Sequence, residues 1–201
     1  AHLNPTVLPS GHAGGRVAQV KGTAVQSSLR YVRERFGEDA LARVIEALPE
    51  TDRKAFGHGV LASSWYGMDA FLRFMQEAER QLRAQEPDVI RRMGRASCEY
   101  GVTGVYKIFF KVGSPEFIIS RAARVFSSYY DSGELRIPES GPKRVVAELA
   151  GLKGGATQFC ERIYGWMQRT LELAGAKNLR SAHSACVHRG DPVCRFEGSW
   201  D

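Results

Sequence analysis

No stretch of this chain approaches the roughly 18–20 uninterrupted apolar residues that a membrane-spanning helix requires, so no span is expected. Its start, AHLNPTVLPSGHAGG, has no basic residue ahead of an apolar stretch; no signal peptide is expected, and a cytoplasmic address follows by default. Catalytic signatures are missing too. GLKGGAT contains glycines but forms neither a Walker-type loop nor a G-x-G-x-x-G turn, and no complete G-x-S-x-G elbow occurs. An enzyme is therefore not expected. There is no internal repeat and no low-complexity tract. Cysteine is scarce, with four in 201 residues, but Cys160, Cys186 and Cys194 all fall near the C-terminus, with Cys98 apart from them.

What is present is ordinary globular material: 43% hydrophobic and 25% charged residues, enough for one core of a single domain. The net charge of +6 raises the question of nucleic acid. However, Lys and Arg are interleaved with Glu and Asp in segments such as RYVRERFGED and EAERQLRAQEPDVIRR. Those read as solvated helix faces, and nucleic-acid binding is not expected.

Along the chain, residues 1–15 read as a loose leader and 16–201 as one domain, helical over 27–132, with a strand, helix and hairpin core over 133–200. RVAQVKGTAVQ reads as a short strand, after which Ser27 and Ser28 offer N-caps to a helix from about Leu29. The apolar spacing of Met68, Phe71, Leu72, Met75, Ala78 and Leu82 predicts a one-sided helix over 63–85. Pro87 opens another that runs to Gly113, with Gly94, Gly101 and Gly104 either kinking it or admitting a close neighbour. Ser114 and Pro115 predict a helix start, with the helix ending at Gly133. GELRIPE and PKRVVAELAGL read as strands, 156–174 as a helix burying Phe159, Ile163, Trp166, Met167, Thr170 and Leu171, and the two sides of HRGDP as a terminal β-hairpin. The fold class expected is mixed α/β: an antiparallel sheet packed with helices, with an N-terminal helical region.

The hairpin carries the chemistry. Cys186 and Cys194 are equidistant from Gly190, so a turn centred there sets them opposite one another, roughly 4.5–5.5 Å apart at Cβ, which suits two thiolates on one metal. Cys160 lies in the first turns of the preceding helix, where the dipole favours a thiolate. His183 is three residues before Cys186 and joins only if the strand bulges or ends between them. Cys160, His183, Cys186 and Cys194 would form a Cys₃His set, a closed composition suited to structural zinc; the plain alternative is three small apolar residues packed in a core beside a surface histidine.

The spacing C-x₂₅-C-x₇-C and the closing HSACVHRGDPVCRFEGSW resemble the 4-vinyl reductase-type domain family, above all the aromatic-sensing domains of sigma-54-dependent activators of phenol and xylene catabolism. The upstream segments SSWYGMDAFLRFM and YKIFFKVGSPEFIISRAARVFSSYYDSGEL are similar to a less characterised branch of that family from Myxococcus- and Deinococcus-type bacteria. In the sensors a Glu stands three residues before the second Cys and the cysteines bind zinc beside an effector pocket; here that position is His183. The resemblance implies a mixed α/β domain related to transport-particle tethering subunits, dimerising through helices around an apolar cavity.

Most aromatic residues, at helical spacing, are expected in the core. Tyr164 and Trp166, with Tyr106 and Phe110, are the candidates for a ligand pocket, Tyr164 because it stands one turn after Cys160 with a hydroxyl to satisfy. Haem is a minor alternative through His58 or His183, and the Tyr-x-Ser-x-Arg triad of haem nitric-oxide sensors is absent. The function expected is a sensory or regulatory domain for a small apolar or aromatic ligand, acting as a homodimer on a separate partner, with zinc as its cofactor. A ligand-free interaction module is the alternative, separable by whether the fold holds a formed cavity or an exposed apolar patch.

Overall fold

The computed structural model describes residues 17–102, 113–152 and 154–201. The expected mixed α/β architecture, with a helical N-terminal region and an antiparallel sheet ending in a hairpin, is what it shows. The first elements differ in detail from expectation. β1 is only Gln19–Lys21, and helix α1 begins at Gly22 and runs to Phe36. The start is early because Gly22 has no side chain: a Cβ there would lie 1.9 Å from the Leu61 carbonyl oxygen. Ser27 and Ser28 are thus inside the helix, each hydroxyl turned back on the Ala24 carbonyl at 2.9 Å, rather than capping its start.

Helices α2 (Glu38–Glu46) and α3 (Glu50–Gly57) follow, and β2 (Trp65–Gly67) returns to pair antiparallel with β1. The residues ahead of Met68 that read as helix are this strand; helix α4 covers Met68–Leu82 and buries the predicted stripe plus Phe74. Helix α5 covers Val89–Gly101. Ser114 and Pro115 do open a helix, Ser114 Oγ accepting from Phe117 N at 3.2 Å, but it is short. It comprises α6 (Pro115–Ile119), a break, and α7 (Ala122–Tyr129), after which Tyr130 turns extended to bridge Val20. Asp131 anchors that crossing, its carboxylate accepting from Gln19 N at 2.6 Å.

The main sheet has the order β3–β4–β6–β5, all antiparallel, with β3 at Glu134–Gly141, β4 at Arg144–Ala150, β5 at Arg180–Ala185 and β6 at Cys194–Ser199. A register shift in β3 between Arg136 and Glu139 accommodates Pro138, which has no N–H for the ladder. Helix α8 (Thr157–Leu173) lies between this sheet and α5. Towards the sheet it presents Tyr164, stacked on Phe196 at 6.0 Å, and Leu171, against Gly198.

Towards α5 it presents a glycine. Gly165 faces the Arg91 carbonyl and Gly94 of α5 faces the Arg162 carbonyl; a Cβ at either would lie 1.9 Å from that oxygen. The two helices therefore cross backbone on backbone, each through an Arg-x-x-Gly tetrad, and Gly94 serves close approach rather than a kink. Ion pairs Arg91–Glu161 (2.7 Å), Arg95–Glu172 (2.7 Å) and Arg169–Glu99 (2.7 Å) flank the crossing. Among the described residues no helix is long and apolar enough to cross a membrane.

Because a methyl group at the crossing meets fixed backbone, Gly94→Ala and Gly165→Ala are each expected to destabilise the fold by about 1–3 kcal/mol. That corresponds to a fall in Tm of several degrees at this size, roughly 2–4 °C per kcal/mol. Gly101→Ala, where nothing lies within 4 Å, is the control and is expected to show no loss. Thermal unfolding followed by circular dichroism measures all three.

Candidate functional site

The start of α8 and the far end of the hairpin meet over one edge of the sheet. Cys194 opens β6 opposite Leu149 of β4, and β5 ends at Ala185, one residue before Cys186. Cys186 and Cys194 are therefore not ladder partners as a simple turn at Gly190 would make them. A register shift between His183 and Ala185, followed by the end of the strand, turns both His183 and Cys186 to the same side, which is the condition under which His183 joins the thiols. A single 3₁₀ turn, Val187–Arg189, then carries the chain to Gly190 in the left-handed region (φ 95°). Asp191 holds this knuckle: its carboxylate accepts from Cys186 N at 2.7 Å, while Arg189 N donates to Cys186 O at 2.8 Å.

The three sulfurs form a triangle, Cys160–Cys194 at 3.3 Å, Cys186–Cys194 at 3.8 Å and Cys160–Cys186 at 3.9 Å. With a nitrogen of His183 all four ligand atoms lie within 4.8 Å of one another, a set that could hold a metal ion. The thiols are free and buried. Such close thiols do not ionise independently. The Cys160 thiol donates to Cys194 sulfur, and that bond holds the Cys194 pKa down to about 4. Cys160, donor to that thiolate and buried, is pushed far up, and burial raises Cys186.

His183 is oriented from behind. Its Nδ1 faces Glu161 Oε1 at 3.4 Å, Glu161 is gripped by Arg91 of α5 (2.7 and 3.0 Å), and Nε2 is buried without a hydrogen-bond partner. The ring stacks on Phe196 at 4.6 Å. Arg91, whose carbonyl receives Gly165, thus also ties the cluster to α5.

On the opposite flank of α8 lies a cavity of about 990 Å³. Its walls come from α1 (Ala24, Ser27, Leu29), the end of α5 (Ser97, Cys98, Tyr100), α6 (Phe117), α7 (Phe126) with Tyr130 just after it, and α8 (Arg162, Ile163, Trp166, Thr170). Arg162 is 2% exposed and enters it as a hub, donating to Tyr130 Oη at 2.8 Å, Ser97 Oγ at 2.8 Å, Ser28 Oγ at 3.2 Å, Ala24 O at 3.3 Å and Ser27 Oγ at 3.4 Å. Cys98 also lines the cavity, its thiol next to Thr170 Oγ1 at 3.3 Å and raised to about 11 by burial.

Of the four residues read as pocket candidates, Trp166 lines this cavity. Tyr164 faces the sheet instead, its hydroxyl on Ser181 Oγ at 3.0 Å, because it is on the face of α8 that carries Cys160. Tyr106 and Phe110 lie outside the described residues. Arg162 was not among the candidates. A lone Arg in a mixed-charge helix reads as solvated, and the only local signal was its place inside the apolar stripe of α8, between Phe159 and Ile163.

Over residues 18–200 the chain matches the family described as a protein of unknown function (DUF2378), and it belongs to that family. No curated protein matches it. Among solved structures it is similar to the Fe(II) unliganded H-NOX protein from K. algicida (TM-score 0.67, 10% identity, 90% of this chain and 96% of that one). It is also similar to the H-NOX protein from S. oneidensis in the Fe(II)NO ligation state (TM-score 0.67, 14% identity, 90% and 99%). A third similar structure comes from work on haem distortion in the H-NOX family (TM-score 0.61, 12% identity, 90% and 95%).

At these identities the likeness shows a shared fold. It corrects the resemblance to 4-vinyl reductase-type domains and, with it, the implied kinship to tethering subunits: the fold is that of H-NOX proteins. The reason is physical. A Cys₃His spacing records a local helix-to-hairpin clasp, and such a clasp does not specify the architecture it sits on.

Since Asp191 alone fixes the backbone of Cys186 by a charged acceptor, Asp191→Ala is expected to cost about 1–2 kcal/mol. Urea unfolding at neutral pH, with an unchanged m-value, measures it.

Proposed function

We propose that this chain is a non-enzymatic sensory or regulatory domain that binds a small, largely apolar or aromatic molecule in the cavity beside α8, with a zinc ion held by Cys160, His183, Cys186 and Cys194. The observation that carries the reading is the cavity itself. At about 990 Å³, walled by aromatic and aliphatic side chains with a few convergent polar groups, it is at the upper end of the range typical of small-molecule sites. The interaction-module alternative called for an exposed apolar patch. Among the described residues, large exposed apolar side chains are few: Val17, Leu61, Trp65, Phe117, Val125 and Val187.

H-NOX proteins of the same fold are described with Fe(II) and haem. The residues here do not fit haem iron. Of the described histidines, His58, His183 and His188, none lines the cavity, and residues 103–112 contain none. Cys98 is a buried thiol rather than a thiolate, and Tyr130 already receives Arg162. Sensing is therefore assigned to a different occupant.

The Cys₃His set does suit zinc. Tetrahedral Zn–S bonds of about 2.3 Å put sulfurs roughly 3.8 Å apart, close to the spacing of the triangle. Nε2 of His183 is unspent, and Glu161 on Nδ1 selects the tautomer that presents it. Four protein ligands leave no position for water, so the ion acts as a clasp between α8 and the hairpin. Ligand occupancy on one flank of α8 would then bias a two-state packing of α8 against α5, read by a second copy of the chain or a separate cytoplasmic partner.

Native mass spectrometry with elemental analysis tests this reading. One zinc per chain and no stoichiometric Soret absorbance are expected after expression with zinc and haem precursor supplied. Stripping the metal, or the Cys186→Ser/Cys194→Ser pair, is expected to lower Tm by about 10 °C. That follows from roughly 4 kcal/mol of linkage for a ligand at 1,000 times its Kd and about 2–4 °C per kcal/mol. A folded, metal-free protein under full zinc supply removes the clasp.

A further inference from the structure

Three charged side chains are buried among the described residues: Asp52, Glu86 and Arg162. Two are neutralised within the fold. Asp52 pairs with Arg73 at 2.6 Å, and Glu86 with Arg35 at 3.2 Å and Arg92 at 3.5 Å. Arg162 is different. All its acceptors are hydroxyls or a carbonyl, and a guanidinium cannot escape burial by losing its proton.

The cavity it faces is one-sided in charge. Its described lining includes Arg30, Arg33, Arg121 and Arg162 but no Asp or Glu. Arg30 and Arg33 are paired outside it, with Glu34 and Glu38. The residues beyond the described set bring no carboxylate side chain either, since 1–16, 103–112 and 153 contain neither Asp nor Glu. An uncompensated buried charge is costly, and a fold that neutralises its other two buried charges leaves this one in the wall of the cavity.

The neighbours of Arg162 are prepared for an anion. Tyr130 Oη accepts from the guanidinium, so its own O–H is left to donate, and it has no acceptor among the described residues. Ser27 and Ser97 share one hydrogen bond at 2.7 Å and Ser27 donates to Ala24 O at 2.9 Å, so both protons of that pair are spent and Tyr130 is the hydroxyl with a proton to give. The second hydrogen of Arg162 Nη1, whose other one goes to Tyr130, and the Tyr130 O–H together match the two oxygens of a carboxylate. The adjoining walls, Phe126, Ile163 and Trp166, offer nothing polar except the indole N–H.

We infer that the cavity takes an apolar carboxylic acid, its carboxylate held by Arg162 and Tyr130 and its body lying against Phe126, Ile163 and Trp166. This rests on the cavity being a ligand site, as proposed above. An aromatic and an alkyl acid share the recognised chemistry, and the test separates them.

Four probes are titrated into the zinc-loaded 201-residue chain by calorimetry: 1-naphthylacetate, its neutral amide, dodecanoate and dodecanol. At least one acid is expected to bind ten times or more tightly than its neutral counterpart, and which acid does so identifies the body. Arg162→Gln is expected to abolish that preference while leaving the affinity for the neutral probe within about threefold. Tyr130→Phe, which removes one donor and keeps the ring packing, is expected to weaken the acid alone by about three- to tenfold, so the inference stays testable should Arg162→Gln fail to fold. Neutral and acid probes binding equally, or a preference untouched by Tyr130→Phe and by folded Arg162→Gln, overturns the inference and leaves the cavity reading standing. Binding of none of the four overturns both.

Discussion

The contact on which the rest of this structure depends is the crossing of α5 and α8. Each helix places a glycine against the other's arginyl carbonyl, Gly94 on Arg162 and Gly165 on Arg91, at a separation no Cβ could share. With the backbones in contact, neither helix has a side chain between them, and the two arginines are directed away from the seam. Arg91 goes to Glu161 and, through it, to His183; Arg162 goes to Tyr130 and the serines of α1 and α5. One packing constraint thus organises both flanks of α8.

Those flanks are chemically opposite. The sheet side carries sulfur and imidazole, acceptors for a cation, fixed in place by a strand that shifts register and stops at the right residue. The cavity side carries an arginine held by neutral groups, a donor set for an anion. Separation by a single helix matters physically. Each set is built from buried side chains, where an unpaired charge is costly, and α8 contributes to both.

The likeness to H-NOX proteins fixes the architecture without fixing what fills it. Iron ligation needs a donor aimed into the cavity, and none of the described histidines lines it: His183 is turned to the thiols on the other side of α8. A fold used for one occupant can hold another when the lining residues change, because the cavity arises from how helices pack and the specificity from a few side chains.

Much of this was legible in the sequence where the signal is local. The strand β4, the apolar stripes of α4 and α8, the Ser114–Pro115 start of α6 and the gathering of Cys160, Cys186 and Cys194 about a hairpin all follow from period, capping and turn chemistry among near neighbours. Where long-range contact decides, local signals were overridden. Gly22 starts α1 early because it meets the Leu61 carbonyl; the helix after Ser114 breaks so that Tyr130 can reach Val20; Tyr164 turns to the sheet although its ring and hydroxyl suited a pocket. His183 depended on a register shift that no residue spacing announces. The family that the cysteine spacing resembled was likewise a statement about one clasp. By itself the sequence determined a mixed α/β chain with three cysteines gathered about a C-terminal hairpin. Only the tertiary structure decided that Arg162 is buried without a counter-ion beside a cavity, because burial of a charge is settled by residues far away in the chain.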